Sequence, residues 1–330
     1  MISYAYIAAL IGAGFASGQE ILCYFTVFGR KGFYGVIIAA VIFTVFAYSV
    51  LRMAIITNSS GFDEFLTRLP GRFIARLLKL LTGIFAFAAY TVMLAGIGEI
   101  LNILCAIPQK FGALLSAVGC ALLFSRGVTS VFRLNGIIGM LLAAAIAVCC
   151  IYILQYREFH VFSENMDVIG SAFTYSGYNL LSAAPLLIVM SKSISSSSEA
   201  AAVSLISGGV LLFLMMLIYG ILSIYANKIN LGEFPMLTLA FRQNHVFGIF
   251  YGITLAGAIV TTLLSSGGSM VEVFSVNNSI FIMMLSMISY AVSGFGFSRL
   301  VNTAYRICGI TGFAAVIFII IFSFRIKLKK

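Results

Sequence analysis

The chain has 330 residues, of which 62% are hydrophobic and only 9% charged, and its mean hydropathy is +1.11. A soluble domain carries about a quarter charged residues, so composition places the chain among integral membrane proteins. The net charge of +10 reads as the cytoplasmic excess of Lys and Arg that orients such proteins. Nucleic acid is not an expected partner, because no soluble domain with a clustered basic face is present. The expected surroundings are a lipid bilayer.

Ten apolar runs follow in chain order. The first extends from about Ile2 to Phe28 and is interrupted by Ile11-Gly-Ala-Gly-Phe-Ala-Ser-Gly-Gln-Glu20. It reads as a retained span, since no basic stretch precedes it and Gln19-Glu20 leads straight into more apolar sequence. The second covers Phe33 to Ile56 and the third Phe73 to Leu104. Between them, Asn58 to Pro70 offers cap residues and a short amphipathic turn on the inner face. Pro108 then stops the chain, a short fourth span runs to Phe124, and the fifth covers Leu134 to Leu154.

A polar loop, Gln155 to Asp167, leads to the sixth run, Val168 to Met190, which contains Ala172-Phe-Thr-Tyr-Ser-Gly-Tyr-Asn179. The seventh runs from about Ala200 to Tyr225. The stretch Leu231 to His245 predicts a short outer helix around Pro235, a lid or a passive connector. The eighth span is Phe247 to Leu264, with room to continue past Gly267-Gly268. The ninth is Ile280 to Val292. The tenth is Ile310 to Phe324, and the basic tail 325–330 follows.

Ten runs divide into repeats of about 1–154 and 165–325 within one transmembrane domain, 1–330. An odd number of spans per repeat inverts the second relative to the first. With the N-terminus inside, the inner side holds twelve of the twenty Lys and Arg residues and the outer side eight. Both termini are therefore expected in the cytoplasm.

The two interruptions carry the functional signal. Gly weakens a helix interior by about 1 kcal/mol relative to Ala, and unwound backbone at membrane depth survives only where it lines a protected cavity. A broken helix offers free N–H groups to anions and free C=O groups to cations. The candidate substrate-binding residues are Gly12, Ala13, Gly14, Ser17, Gly18 and Glu20 in the first span, with Tyr175, Ser176, Gly177, Tyr178 and Asn179 in the sixth. Pro185 follows and cannot donate to the carbonyl of Leu181. Small residues also serve close helix packing in membranes, and that reading fits Gly14 and Gly18. Tyr90 and Thr91 in the third span are weaker candidates to face a central cavity.

Ile11-Gly-Ala-Gly-Phe15 resembles the first-span break of the amino acid–polyamine–organocation superfamily, and Ala172 to Asn179 resembles that superfamily's A-F-F-A-Y-S-G-F-E segment in span six. The fuller Gly12 to Ile21 stretch is similar to the start of the YkvI-like bacterial membrane proteins. The resemblance covers nearly the whole chain. It implies a LeuT-type fold: all-α, about ten transmembrane helices in a 5+5 inverted repeat, with helices 1 and 6 broken and a small amino-acid-like solute held between them. It departs from many amino-acid permeases at Ala13, where they have Ser, and at Asn179, where they have Glu.

Ala258-Ile-Val-Thr261-Thr262 resembles the A-x-x-[ST]-[ST] sodium site of sodium-coupled LeuT-type transporters, with partner carbonyls from Ala8 and Ile11. Ordinary helix packing also accounts for Thr residues, and Ser265-Ser266 is a competing location. Protons are the other candidate coupling ion, through Glu20 or Glu99, since a carboxylate inside a membrane span is costly and points to function. No cofactor is implied. The six Cys residues read as small core hydrophobes, and the two His residues form no ligand pattern.

The expectation is a secondary transporter in a bacterial plasma membrane, moving a small organic solute by alternating access with Na⁺ or H⁺. A receptor of the same fold that binds an amino-acid-like ligand without moving it is the alternative. The polar groups within the membrane make no nucleophile–base set, so enzyme activity is not expected. The sequence gives no oligomeric state.

Overall fold

A computed structural model of the chain describes residues 2–59, 61–125, 143–152, 167–225, 230–274 and 279–325. Regular structure among the described residues is entirely helical. The first span is in three pieces: α1 (Ile2–Leu10), α2 (Ala13–Ala16) and α3 (Gln19–Tyr24). Two glycines separate them. Gly12 is extended at φ −76°, ψ 179°, and Gly18 is left-handed at φ +79°. The Ser17 hydroxyl donates to the Gly14 carbonyl at 2.9 Å and accepts the Gln19 N–H at 3.2 Å, which caps the second break from within.

A 3₁₀ stretch, Thr26–Lys31, leads into α4 (Gly32–Thr57). Helix α4 ends on left-handed Asn58, φ 50°, a residue type that tolerates that conformation. The expected amphipathic turn is α5 (Phe62–Thr67), which buries Phe65 and Leu66. Asp63 in α5 accepts from Lys79 at 2.8 Å, joining it to α6 (Arg72–Cys105). Helices α7 (Gln109–Ser125) and α8 (Ala143–Tyr152) follow. The ends of the expected fifth span and nearly all of the loop after it lie outside the described residues.

In the second half, α9 (Val168–Met190) is capped by Asp167, whose side chain accepts from the Gly170 N–H. Then come α10 (Ser197–Tyr225), the short α11 (Pro235–Gln243), α12 (His245–Val273) and α13 (Ser279–Ser293). Pro235 opens α11 at the first helical position, where its missing N–H costs nothing. Helix α12 does continue past Gly267-Gly268. The last span is α14 (Phe297–Leu300), a π-helical turn over Val301–Tyr305, and α15 (Arg306–Arg325).

Among the described residues, six stretches are long and apolar enough to cross a membrane: Thr26–Thr57, Arg72–Cys105, Val168–Ser193, Ser197–Tyr225, His245–Met270 and Phe297–Arg325. The chain is a multi-pass membrane protein. Helix α12 packs on α6, α15 on α9, and α10 and α9 on α4, while α7 bridges α6 and α13. Arg52 donates to the Ser323 carbonyl and ties α4 to the end of α15.

One expectation fails. The sixth span is not broken at Ser176–Asn179; α9 is helical throughout. Three of its polar side chains bond back to the helix without unwinding it: Thr174 donates to the Gly170 carbonyl at 2.8 Å, Asn179 to the Tyr175 carbonyl at 3.2 Å, and Ser182 to the Asn179 carbonyl at 2.8 Å. Gly177 serves packing instead. A side chain there would meet the Gly309 carbonyl and come within 2.6 Å of the Phe313 N–H nitrogen. Close approach of α9 to α15 is what excludes a Cβ at this position.

Candidate functional site

Where the first span breaks, a cavity of about 60 Å³ opens between five spans. It has room for about four to six waters or small atoms. The first span contributes Ala9, Gly12, Ala13, Gly14 and Glu20. Helix α9 contributes Tyr178, Asn179 and Ser182; α6 contributes Phe85, Ala88, Ala89 and Met93; Thr262, Tyr305 and Cys308 complete the wall.

Glu20 is the group that sets the site's character. It stands in the first turn of α3 and is 4% exposed. Its Oε2 makes no hydrogen bond, and Tyr178 and Asn179 face the carboxyl group. No Lys, Arg or His is among the described residues lining the cavity. The carboxyl group lies directly against Gly14, and a Cβ on that residue would overlap Oε1. An isolated carboxylate in a dry interior is costly unless a cation or a proton accompanies it.

An aromatic group adjoins the cavity. Tyr178 stacks on Tyr305 with centroids 4.5 Å apart, and Tyr24 and Tyr175 pack on Tyr178 at 6.0 and 5.8 Å. The hydroxyls of Tyr24, Tyr175 and Tyr178 are buried without partners, as is Ser176 Oγ. Tyr175 and Ser176 sit beside the cavity and do not line it. Ser17 and Gly18 shape the break, and Gly177 packs on α15. Helix α11 covers the second break: the Met236 N–H donates to the Ser17 carbonyl at 2.9 Å.

The residues expected to hold sodium are divided. Thr262 lines the cavity, its Oγ1 3.6 Å from where a Cβ on Gly12 would stand. Thr262 and Thr261 both donate to the Ala258 carbonyl, at 2.9 and 3.0 Å. Ile11 is buried at the break, its N–H bonded to Ile7 at 2.8 Å, and Ala8 lies in α1. Ser265 and Ser266 both bond back to the Thr262 carbonyl. Glu99 is half-buried in α6, away from the cavity, with Glu233 as its charged neighbour. Among the described residues, no three His, Cys, Asp or Glu side chains gather as a metal would require.

Tyr90 and Thr91 do not face the cavity. Tyr90 bonds Ser286 at 2.7 Å and Thr91 bonds back to Phe87 at 2.8 Å. The cavity face of α6 is Phe85, Ala88, Ala89 and Met93, a helical spacing that would have become visible once any one of them was placed. Ser182 was readable as the residue one turn beyond Tyr178. Tyr305 and Cys308 had no local signal.

No family model matches the chain. Two relatives from Bacillus subtilis (strain 168) align over nearly all of it. The uncharacterized membrane protein YkvI is 24% identical over 324 residues, 96% of this chain and 93% of its own length. The uncharacterized protein YyaD is 24% identical over 340 residues, 98% and 96% of the two lengths. Solved structures share the fold. A manganese transporter from Eremococcus coleocola, in complex with an aromatic bis-isothiourea substituted compound, gives a TM-score of 0.68 at 12% identity, covering 97% of this chain and 78% of that one. MhsT in complex with L-phenylalanine gives 0.66 at 16% identity, with 96% and 87% covered. A Na⁺-coupled sialic acid symporter in a substrate-bound outward-open state gives 0.62 at 14% identity, with 97% and 78% covered. The fold is that of LeuT-type membrane transporters.

Proposed function

We propose that the chain is a secondary active transporter that moves a small, amino-acid-like solute by alternating access. In this reading ten helices form two inverted five-helix repeats, both termini are cytoplasmic, and the first and sixth spans rock against the remaining scaffold. The observation that carries the proposal is Glu20: a buried carboxylate with a free oxygen, placed by a helix break on the wall of a small cavity. Such a group recognises an ammonium. It would hold the amino group of the solute, with Tyr178, Asn179 and Ser182 around it and the space limiting the solute to a few heavy atoms.

Coupling to Na⁺ is the first choice, with Thr261 and Thr262 turning their hydroxyls from the Ala258 carbonyl to the ion. Hard cations prefer oxygen ligands. Coupling to H⁺ through Glu20 is the second choice, and Glu99, outside the cavity, is the weaker proton site. A soft-metal cargo is less well supported, given the donors that line the cavity.

The test is thermal stability of the purified protein against small amino acids, amines and carboxylates, in Na⁺ and in K⁺. A ligand at about 100 times its dissociation constant stabilises the native state by roughly 2.7 kcal/mol. Solutes with an amino group should raise the melting temperature, carboxylates without one should not, and Glu20→Gln should abolish the shift. Uptake of the hit into proteoliposomes then separates transport from binding. Stabilisation by amino-free carboxylates, undiminished in Glu20→Gln, would sink the reading.

A further inference from the structure

A second cavity lies away from the first, between the end of α6, the start of α7 and the end of α13. It measures about 420 Å³ against 60 Å³ for the central one. Ala95 and Ala113 form its floor, Gln109, Lys110, Tyr290 and Ser293 its sides, and the turn at 294–295 its rim. Both alanines are buried, 1% and 4% exposed. Their small size on closely packed helices is what leaves the depth.

Lys110 is exposed and makes no ion pair within the described residues. Gln109 and Tyr290 add neutral hydrogen-bonding groups. On the two helices that flank the cavity, exposed apolar side chains follow in the direction away from it. On α7 they are Phe111 and Leu115, each 60% exposed; on antiparallel α13 they are Ile288 and Met284, 50% and 56% exposed. A mixed cavity with one cation at its side, flanked by exposed apolar faces of both helices, suits a phospholipid in charge and in apolar surface. A lone lysine holds a free anion in water only weakly. The apolar faces supply area that a soluble anion would not use.

We propose that this cavity holds the headgroup of an anionic phospholipid, its phosphate on Lys110 and its acyl chains along the apolar faces of α7 and α13. Its occupant steadies the turn that follows α13. Beyond that turn the Ser298 N–H donates to Glu233 at 2.5 Å, in the loop that leads to α11. The lipid is thereby connected to the helix that covers the first-span break.

Native mass spectrometry of the detergent-purified protein, titrated with phosphatidylglycerol or phosphatidylcholine of identical acyl chains, tests this. Retention of phosphatidylglycerol should exceed that of phosphatidylcholine at least fivefold. Lys110→Gln, at an exposed position, should bring the ratio near one. Ala113→Phe, which fills the floor and keeps the charge, should lower retention of both lipids. Equal retention in the unmodified protein, or a preference unchanged in Lys110→Gln, would overturn the proposal. So would binding of glycerol 1-phosphate as tight as that of the lipid, which would make the ligand a soluble anion.

Discussion

At the scale of single residues, two glycines that look alike in sequence do different work. Gly14 gives its missing side chain to the Glu20 carboxyl, which occupies that space. Gly14→Ala should therefore push the carboxyl out of the cavity without changing its charge. The expected result is a loss of solute affinity of tenfold or more, read by the thermal-shift titration, in a protein that still folds. Gly177 is a packing residue. If it only weakened α9, Gly177→Ala would stabilise the protein by about 1 kcal/mol. Contact with the Gly309 backbone predicts the opposite sign, a loss of roughly 1–3 kcal/mol from overpacking. A rise in melting temperature for Gly177→Ala would mean that Gly177 only weakens α9 and does not serve packing. The sequence showed Glu20 and Asn179 because charge and amide are rare in apolar runs, and Tyr178 by its place beside Asn179. It could not show Phe85, Met93 or Cys308, whose residue types fill lipid-facing and packed positions equally well.

At the scale of elements, the first-span break was legible and the sixth-span break was misread for one physical reason. Glycine permits both unwinding and close helix contact, and only the neighbouring backbone decides between them. Gly12 and Gly18 have non-helical angles; Gly177 has a carbonyl of α15 against it. The short helix around Pro235 was also legible, from Pro at a helix start, and its role emerges from what it touches. Helix α11 donates the Met236 N–H to the Ser17 carbonyl and places Met236 on Gly18. Gly18→Ala would strain the left-handed backbone by about 1–2 kcal/mol and bring a Cβ within 2.8 Å of the Met236 Cγ. Helix α11 should lift. Hydrogen exchange at the Met236 amide should then speed up at least tenfold, while amides in the middle of α4 stay protected. Unchanged exchange at Met236 would mean that α11 is held by other contacts and does not depend on the break.

At the scale of the whole molecule, α12 is the strut against which the broken span is set. Near one end of α2 the Tyr251 hydroxyl donates to the Ala16 carbonyl at 2.5 Å; at the other, Thr262 stands beside Gly12. Both groups lie on one long helix packed against α6, so any rocking of the first span must break or carry these contacts. The Tyr251 contact was not visible in sequence, because a buried Tyr in an apolar run looks like every other aromatic until its partner is known; the approach of Thr262 to the break was implied by the resemblance to a sodium site. Tyr251→Phe removes one buried hydrogen bond and leaves the Ala16 carbonyl without that donor, a cost of about 1–3 kcal/mol. If that bond holds only the arrangement seen here, the loss falls on this conformation and not on its alternative. Solute exchange across proteoliposomes should then rise as the melting temperature falls. A fall in both together would place the bond in the general stability of the fold. The sodium reading separates cleanly from this. Thr262→Val should abolish any Na⁺-dependent stabilisation yet keep the Tyr251 contact, so a Na⁺ shift that survives Thr262→Val moves the ion away from the junction of α2 and α12.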